Sequence, residues 1–356
     1  GSKKRKNSGE GLERPSKRGK RNKFQLPSAE KKRPNESTVV VEPGDNAVIT
    51  CSVLESLRDR NLSQTAKTCL PKNSWSSRST SPSHLLHIQQ TDKWSCGFRN
   101  CQMLLSAIIP HLTPSHAIFQ RLPRRKPNPS VPNLRHIQQA IEDSWREGFD
   151  KEGARHHRHA ILGKPSRIGA MEIVYYFSYM GLDGTVIQFI ECPESRTLLP
   201  AFVRAYFDKV TGTEGCPFCN SGCAKSNRIA NGLMDWTSIR HEIPMPPPCS
   251  CPLLPLYLQW EGHSVTIVGI EPDRETFLVF DPLRPGRISG YEAGLRTTPK
   301  RFQLPWRSLA NKDTQIILCT LNSMNNHDRD RSLHKGAEVI TAAEDMVKRC
   351  QRGRGS

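Results

Sequence analysis

The segment WSCGFRNCQMLL, residues 94–105, constrains this chain more than any other segment. It places Cys96 directly after a Trp-Ser pair and at the head of an apolar run with helical spacing, which Pro110 ends. At a helix N-terminus, unpaired backbone N–H groups and the positive end of the helix dipole stabilise a thiolate. Gly97 is expected to leave space for a substrate backbone. The spacing therefore predicts a nucleophilic Cys96, with an inert buried thiol, such as Cys101 in mid-stripe, as the alternative.

A histidine and an aspartate downstream supply a base and its partner. Residues 256–282 have the pattern of two apolar, β-branched strands, with His263 opening the first and Asp281 closing the second. A two-residue turn would place Asp281 opposite Thr266, and a five-residue loop would place it opposite His263. Both registers leave the two side chains close. This layout is typical of papain-type thiol hydrolases, in which the histidine takes the proton from Cys96 and the aspartate holds the imidazole.

Glutamines near the cysteine are candidates for the donor that an oxyanion needs in addition to a backbone N–H group. Gln89 and Gln90 both precede Cys96, and Gln90, six residues upstream, has the more papain-like spacing. Gln259 is a weaker candidate, because an edge strand also carries polar residues. We expect Gln90 to serve in catalysis, and Trp94 and Gln259 to contact the substrate.

Four separated blocks of the chain together resemble one known family. The blocks are WSCGFRNCQML around Cys96, IEDSWREGFDKEGA at 141–154, IGAMEI at 168–173, and QWEGHSVTIVGIE followed by LVFDP. They are similar, in the same order, to papain-like cysteine peptidases of the ubiquitin-fold-modifier-specific protease family, and within it to the zinc-finger-associated deubiquitinase branch. The resemblance covers residues 84–320. It implies that Cys96, His263 and Asp281 form the catalytic triad.

The residues before His263 bear on the substrate that this resemblance implies. The branch that acts on the ubiquitin-fold modifier usually has an Asp-Pro-His run, whereas this chain has Glu261-Gly262-His263. The departure favours ubiquitin. The resemblance then implies a thiol-dependent deubiquitinase that cleaves the isopeptide bond after the C-terminal Gly-Gly of ubiquitin through an acyl-enzyme. The alternatives are a protease for another ubiquitin-like modifier, a related acyl transferase or transglutaminase-like enzyme, and a catalytically dead papain-like nuclear interaction protein.

Acidic side chains near the cleft are expected to bind the arginines that precede Gly-Gly in ubiquitin. Asp143 lies about 160° from Trp145 around a predicted helix, so it should point away from the core. Glu172 occupies a position that the family resemblance associates with substrate contact. We therefore predict Asp143 first and Glu172 second as substrate-binding residues, with solvated helix acids as the alternative.

Charge is concentrated at the start of the chain. Residues 1–34 hold thirteen Lys and Arg against three acids, a net charge of +10 out of +18 for the whole chain. With almost no apolar residues, this tail is expected to stay disordered. The basic tail predicts nuclear import, accompanied by weak nucleic-acid contact, and therefore a location in both nucleus and cytoplasm. The alternative is a solvated leader with neither role. Gly1-Ser2 has the character of a cloning scar.

A second cysteine cluster predicts a metal site. Cys216, Cys219 and Cys223 form C-x-x-C-x-x-x-C, and Cys249 and Cys251 add C-x-C further on. We predict Cys216, Cys219, Cys249 and Cys251 as ligands of a structural zinc, with a loop of reduced cysteines as the alternative. No cofactor is expected for catalysis. Twelve cysteines without a signal peptide or a membrane-length apolar run indicate a reducing compartment and no membrane partner. We also expect a monomer.

The pattern between nucleophile and base predicts an α+β fold. Helices are expected within 134–148, 168–181 and 197–210, and a strand over 185–191. A helical lobe followed by antiparallel strands predicts a papain-like, two-lobed peptidase with its cleft between the lobes. The predicted organisation is a basic tail over 1–37, a poorly defined leader and linker over 38–83, the peptidase domain over 84–320 with a cysteine-rich insertion at 210–252, and a C-terminal tail with a short helix over 321–356.

Overall fold

The computed structural model describes a subset of the chain. The described residues are Gly1, 48–50, Leu62, 65–69, 85–122, 130–191, 195–209, 253–286, 299–323 and 339–341. The chain divides into the units 1–36 and 37–356, and every element below belongs to the second. The predicted basic tail and the insertion with its proposed zinc ligands lie outside the described residues. None of the described helices is long and apolar enough to cross a membrane.

Six α-helices are described. They are α1 Cys96–Ile108, α2 Ile118–Arg121, α3 Leu134–Arg146, α4 Lys151–His156, α5 Ala170–Tyr179 and α6 Ser195–Lys209. The three helices predicted between nucleophile and base are present as α3, α5 and α6. Helix α3 begins where the Asn133 side chain accepts a hydrogen bond from the His136 N–H. Gly181, with φ +82°, follows α5 in the left-handed conformation that favours glycine after a helix.

The strands form one large sheet and a separate pair. They are β1 Val48–Thr50, β2 Lys67–Thr68, β3 His87–Gln89, β4 Leu182–Phe189, β5 Leu256–Trp260, β6 His263–Glu271, β7 Thr276–Phe280, β8 Gln303–Pro305, β9 Thr314–Ser323 and β10 Val339–Thr341. The large sheet has the order β10-β4-β9-β5-β6-β7-β8, with β2 added beside β6, and β1 pairs with β3. Only β10 and β4 pair in parallel among these described strands. The α+β fold class is thus confirmed.

Helices pack on the sheet and fix the position of Cys96. Helix α1 lies against β5 and β6, α5 lies against β4 and β9, and α3 contacts both helices. Twelve of the thirteen residues of α1, all those after Cys96, are buried, and Phe98, Met103, Leu104 and Leu105 are buried completely. Burying an aliphatic or aromatic side chain stabilises a fold by about 1.5–3 kcal/mol. The helix that begins at Cys96 therefore has little freedom to move relative to the sheet.

The hairpin of β6 and β7 corrects both predicted registers. Next to the turn, Glu271 pairs with Thr276, as the two-residue turn requires, but the pairing shifts by one between Ile267 and Gly269. One extra residue on β6 forms this bulge. Beyond it, Thr266 pairs with Phe280, so Asp281 continues to a place level with Val265 rather than opposite Thr266 or His263. The expected closeness of the histidine and the aspartate is nevertheless confirmed.

Segments outside the predicted domain take part in the sheet. Strand β1, within the leader, pairs with β3, and β2 pairs with β6, where Gly269 lies so close to Lys67 that a Cβ would collide with its carbonyl oxygen. In the C-terminal tail, Val339–Thr341 form strand β10 on the edge of β4, whereas a helix was predicted there. Three consecutive β-branched residues explain the preference for a strand.

Candidate active site

Cys96 is the first residue of α1, as the sequence predicts. The turn before it is held by Asp92, whose Oδ1 accepts hydrogen bonds from the N–H groups of Trp94 at 2.9 Å and Ser95 at 2.7 Å. Ser95 provides no side-chain cap, so the first N–H groups of the helix keep their donor capacity. The thiol is partly buried at this end of the helix. It therefore lies where the helix dipole favours an anion.

Asn100 ties the nucleophile helix to strand β6. Its side-chain amide donates to the Cys96 carbonyl at 2.9 Å and to Ser264 Oγ at 3.0 Å, and its Oδ1 accepts from Thr266 Oγ1 at 2.7 Å. Asn100 and Thr266 are fully buried and Ser264 nearly so. These contacts fix the position of Cys96 relative to strand β6, which begins at His263. Sequence reasoning missed this asparagine, although an Asn one helical turn after the cysteine, together with two alternate hydroxyl residues in an apolar strand, was a usable signal.

His263 and Asp281 form the second contact of the site. His263 Nε2 lies 2.8 Å from Asp281 Oδ1, which also accepts from the Leu283 N–H at 2.9 Å. Because Nε2 is engaged by the carboxylate, Nδ1 is the nitrogen left for the thiol of Cys96, with which His263 also hydrogen-bonds. The Trp260 ring meets the imidazole edge-to-face, with centroids 5.3 Å apart. The imidazole is thus fixed on three sides.

The surroundings favour a thiolate and an imidazolium. Burial raises the pKa of Cys96, but hydrogen bonds from His263 and Ser264 and the charge of His263 outweigh it, so the pKa lies below the ordinary value. Burial likewise lowers the pKa of His263, but hydrogen bonds with Asp281 and Cys96 and their charges raise it to about 9. The imidazole is therefore protonated at neutral pH, and the equilibrium of Cys96 is shifted toward the thiolate, the nucleophilic form of a cysteine.

Gly97 has a different role from the one predicted. A Cβ on this residue would lie 2.6 Å from the carbonyl oxygen of Ile168 and 2.8 Å from its side chain. The space beside Gly97 is therefore filled by the segment before α5 and is not open to a substrate backbone. Because Gly97 has no side chain, the segment of Ile168 and Gly169 can pack directly on the first turn of α1.

Gln90 and Gln89 differ in their surroundings. Gln90 is buried, its N–H donates to the Pro282 carbonyl at 2.8 Å, and its side-chain Nε2 donates to the Asp92 carbonyl at 2.8 Å. It therefore links the turn before Cys96 to the residue after Asp281. One N–H of its amide remains for an oxyanion. Gln89 is the last residue of β3 and is partly buried.

The two residues expected to contact substrate beside the nucleophile lie next to the site. Trp94 packs edge-to-face on Phe98, with ring centroids 5.8 Å apart. Gln259 Oε1 accepts a hydrogen bond from the Tyr257 hydroxyl at 2.7 Å, and its Nε2 is 3.1 Å from the place of a Cβ on Gly169. Gln259 therefore lies between the sheet and the segment that packs on Gly97.

The predicted substrate-binding acids already have partners. Asp143 accepts a hydrogen bond from Gln139 at 3.0 Å and pairs with Arg146 on the same helix, while its side chain remains 36% exposed. Glu172 is only 14% exposed; it accepts from the Gly169 N–H at 2.8 Å and lies 3.6 Å from His157 Nε2. Burial raises the pKa of Glu172, but hydrogen bonds from His157 and Gly169 outweigh that and lower it. Of these two acids, Asp143 has the more accessible carboxylate.

The thiols and metal-binding residue types of the described segments suggest no further site. The described cysteines Cys69, Cys96, Cys101 and Cys319 are free thiols. Burial raises the pKa of Cys69 to about 12 and that of Cys101 well above the ordinary value, in contrast to Cys96. Within the described ranges, no three His, Cys, Asp or Glu side chains converge as metal ligands. The zinc ligands predicted from the sequence lie outside those ranges.

A cysteine at a helix N-terminus, with a histidine and an aspartate on adjacent strands, is the arrangement of a cysteine hydrolase. Residues 74–310 match the model of peptidase family C78. The chain therefore belongs to this family of cysteine peptidases.

Curated relatives are similar to about half of the chain. It is 31% identical over 197 residues to zinc finger-containing ubiquitin peptidase 1 of Rattus norvegicus, which covers 54% of this chain and 28% of the relative. It is 26% identical over 196 residues to ubiquitin carboxyl-terminal hydrolase mug105 of Schizosaccharomyces pombe, covering 54% and 60%. The chain thus spans less than two thirds of either relative. The crystal structure of UfSP from C. elegans matches with a TM-score of 0.40 and 13% identity, over 80% of this chain and 39% of that one.

Proposed function

We propose that this peptidase is a deubiquitinase that hydrolyses the isopeptide bond after the C-terminal Gly-Gly of ubiquitin. The observation that carries the proposal is the contact of His263 with Asp281, in which Nε2 of the imidazole lies 2.8 Å from the carboxylate, together with the position of Cys96 at the start of α1. In this proposal Cys96 is the nucleophile, His263 the general base and acid, and Asp281 the residue that orients the imidazole.

Acylation begins with the Cys96 thiolate. The sulfur attacks the carbonyl carbon of the last glycine, and the carbonyl electrons move to oxygen. When the tetrahedral intermediate collapses, the C–N bond breaks, its electron pair stays on the lysine nitrogen, and His263 Nδ1 supplies the proton that this amine needs. The modifier is left as a thioester on Cys96. Asp281 keeps Nε2–H engaged throughout, so Nδ1 always faces the reacting atoms.

Two donors are proposed for the oxyanion. One is the Cys96 backbone N–H at the start of α1, and the other is the side-chain amide of Gln90, whose backbone and side chain are both anchored beside the triad. In the second half-reaction His263 removes a proton from water, hydroxide attacks the thioester, and Cys96 leaves as the thiolate. Removal of one such donor typically costs about a hundredfold to a thousandfold in kcat.

The preference for ubiquitin over another modifier rests on two supports. The curated relatives are named as a ubiquitin peptidase and a ubiquitin hydrolase. In addition, the two residues before His263 are Glu261 and Gly262, with Gly262 in a left-handed turn at φ +81° between β5 and β6. The orienting acid comes instead from Asp281, at the end of the next strand. Asp143, exposed on α3, is the proposed partner for the arginines of the ubiquitin tail.

The proposal is tested with two matched fluorogenic substrates, in which the same coumarin amide follows either ubiquitin or the ubiquitin-fold modifier. We expect kcat/KM for the ubiquitin substrate to exceed that for the other by at least about a hundredfold, which corresponds to about 2.7 kcal/mol. Faster release from the ubiquitin-fold modifier would favour the alternative protease. No release from either by a correctly folded protein would favour the catalytically dead alternative.

A further inference from the structure

A pocket lies beside the histidine, and Cys96 is not among the described residues that line it. It has a volume of about 370 Å³ and includes both His263 and Asp281 in its wall. Val265 on β6 and Val279 on β7 line it as well. These four residues share one face of the hairpin, because alternate residues of a strand point the same way and the bulge brings Asp281 level with Val265. The pocket is thus continuous with the catalytic groups.

The chemistry determines which part of a substrate would reach this pocket. His263 delivers a proton to the leaving lysine amine, so the amine and the chain that carries it must lie on the imidazole side of the reacting carbon. The modifier, attached to Cys96 as the thioester, lies on the other side. A pocket walled by His263 and Asp281 therefore borders the leaving chain.

The rim of the pocket is basic. Arg284, Lys300 and Arg301 line it, while Asp281 is the one carboxylate among the lining residues that the structure describes. Asp281 Oδ1 is occupied by His263 and the Leu283 N–H, and Arg284 Nε lies 3.5 Å from its Oδ2. The rim therefore has a net positive charge, which attracts an anionic group and disfavours a cationic one.

The cations of the rim are held in different ways. The Arg301 Nε donates to the Pro285 carbonyl at 2.9 Å, and its guanidinium lies over the Phe302 ring, 4.9 Å from the centroid. Lys300 is exposed at the start of a short 3₁₀ turn. Its flexible ammonium is therefore free to follow an incoming carboxylate.

An apolar contact lies beside these charges. Leu283 is 51% exposed and is the only large hydrophobic side chain with such exposure in the described part of the chain. It lines the same pocket, next to Arg284. An exposed leucine at a basic rim fits a polypeptide segment that carries an acidic residue beside an apolar one.

We propose that this pocket is a leaving-group subsite that selects conjugates whose modified lysine is flanked by acidic residues. The proposal rests on the proposed function and extends it to the part of the substrate that carries the modified lysine. Lys300 is its specificity-determining residue, and Arg284 and Arg301 contribute to the field.

The test uses ubiquitin joined through an isopeptide bond to the lysine of a fluorescent peptide, with glutamate, glutamine or lysine as flanking residues. Cleavage is followed by fluorescence polarisation, and ubiquitin-coumarin serves as a substrate without flanks. The variant Lys300→Glu is compared with Lys151→Glu, an equal charge reversal on exposed α4, outside the pocket lining.

Wild-type protein is expected to cleave the glutamate peptide about fivefold faster than the glutamine peptide in kcat/KM, with the difference shrinking at high salt. Lys300→Glu should abolish this preference and leave ubiquitin-coumarin within about twofold of wild type, whereas Lys151→Glu should keep the preference. Equal cleavage of all three peptides, with ubiquitin-coumarin still hydrolysed, would overturn the subsite alone. No hydrolysis of ubiquitin-coumarin would overturn the proposed function and the subsite with it.

Discussion

His263 Nε2 lies 2.8 Å from Asp281 Oδ1, although neither residue is paired directly opposite the other in the hairpin. The bulge in β6 explains the contact. Without it, the pairing next to the turn would continue and bring Asp281 opposite Thr266, on the face that meets α1. The extra residue moves the aspartate level with Val265, on the same face as His263, where the two side chains are diagonal neighbours.

Asp281→Asn should lower kcat on the order of a thousandfold or more while the free energy of unfolding changes little. An amide in place of the carboxylate can donate its N–H to Nε2, which favours the imidazole tautomer with the proton on Nδ1, and it stabilises the imidazolium less. The matched control is Asp273→Asn in the exposed turn of the same hairpin, where Asp273 accepts from Thr65 at 2.7 Å. Steady-state hydrolysis of ubiquitin-coumarin by both variants makes the comparison. Equal activity of both would remove Asp281 from the mechanism.

The pKa shifts predict how Cys96 reacts with iodoacetamide as pH changes. The pKa of Cys96 lies below the ordinary 9.0, so its alkylation, followed by mass spectrometry of the Cys96 peptide, should show an inflection below pH 9. In His263→Ala the hydrogen bond and charge that lower this pKa are lost while burial still raises it, so the inflection should move to higher pH. An unchanged inflection would show that the imidazole does not set the thiol pKa.

The pKa of His263, raised to about 9, also predicts the alkaline limb of turnover. Below that pH the imidazole holds the proton that the leaving amine needs. Above it the proton is lost, so kcat should fall as pH rises through about 9.

Asn100 is expected to act as a positioning residue. Asn100→Ala breaks its bonds to Cys96, Ser264 and Thr266 and leaves buried partners unsatisfied, at about 1–3 kcal/mol of stability. Because Cys96 is then no longer held in position relative to His263 on β6, kcat should fall while KM stays near wild type. The control Asn133→Ala removes the cap of α3 at a cost of about 1 kcal/mol. If both variants lost only stability, Asn100 would be structural and no more.

Much of the site could be predicted from local patterns. The placement of Cys96 at a helix start followed from the apolar spacing after it, and the meeting of His263 with Asp281 followed from two β-branched strands and a turn. The register could not be predicted, because a bulge leaves no periodic signal when both faces of the strand are buried, as they are over residues 264–271 of β6.

Tertiary contacts determined what local patterns missed. The sequence predicted that Gly97 leaves space for a substrate backbone. In the structure Ile168, about seventy residues later in the chain, fills that space. Glu172 had the character of an available acid, yet it pairs with the Gly169 N–H in its own helix start and with His157. Val339–Thr341, whose β-branched residues favour a strand, pair with the edge of β4, and the local sequence does not reveal that distant partner.

The zinc site remains a prediction for the cysteine-rich insertion. Protein purified without added metal should contain about one equivalent of zinc, which combined Cys216→Ser and Cys219→Ser substitution should remove. Thermal stability should fall more than activity, because no metal enters the proposed mechanism. Elemental analysis that finds no zinc in fresh, active protein would leave the reduced-cysteine alternative.

The role of Cys96 as the nucleophile of a deubiquitinase is tested most directly by covalent capture with ubiquitin that carries a C-terminal electrophile. We expect wild-type protein to form a stoichiometric adduct, which peptide mass spectrometry maps to Cys96. Cys96→Ala should form no adduct, although its circular dichroism spectrum should be unchanged. Cys69→Ala, which removes a buried thiol of raised pKa, should form the adduct like wild type. An adduct that persists in Cys96→Ala, or a wild-type protein that is captured only by the matching ubiquitin-fold-modifier probe, would contradict this role.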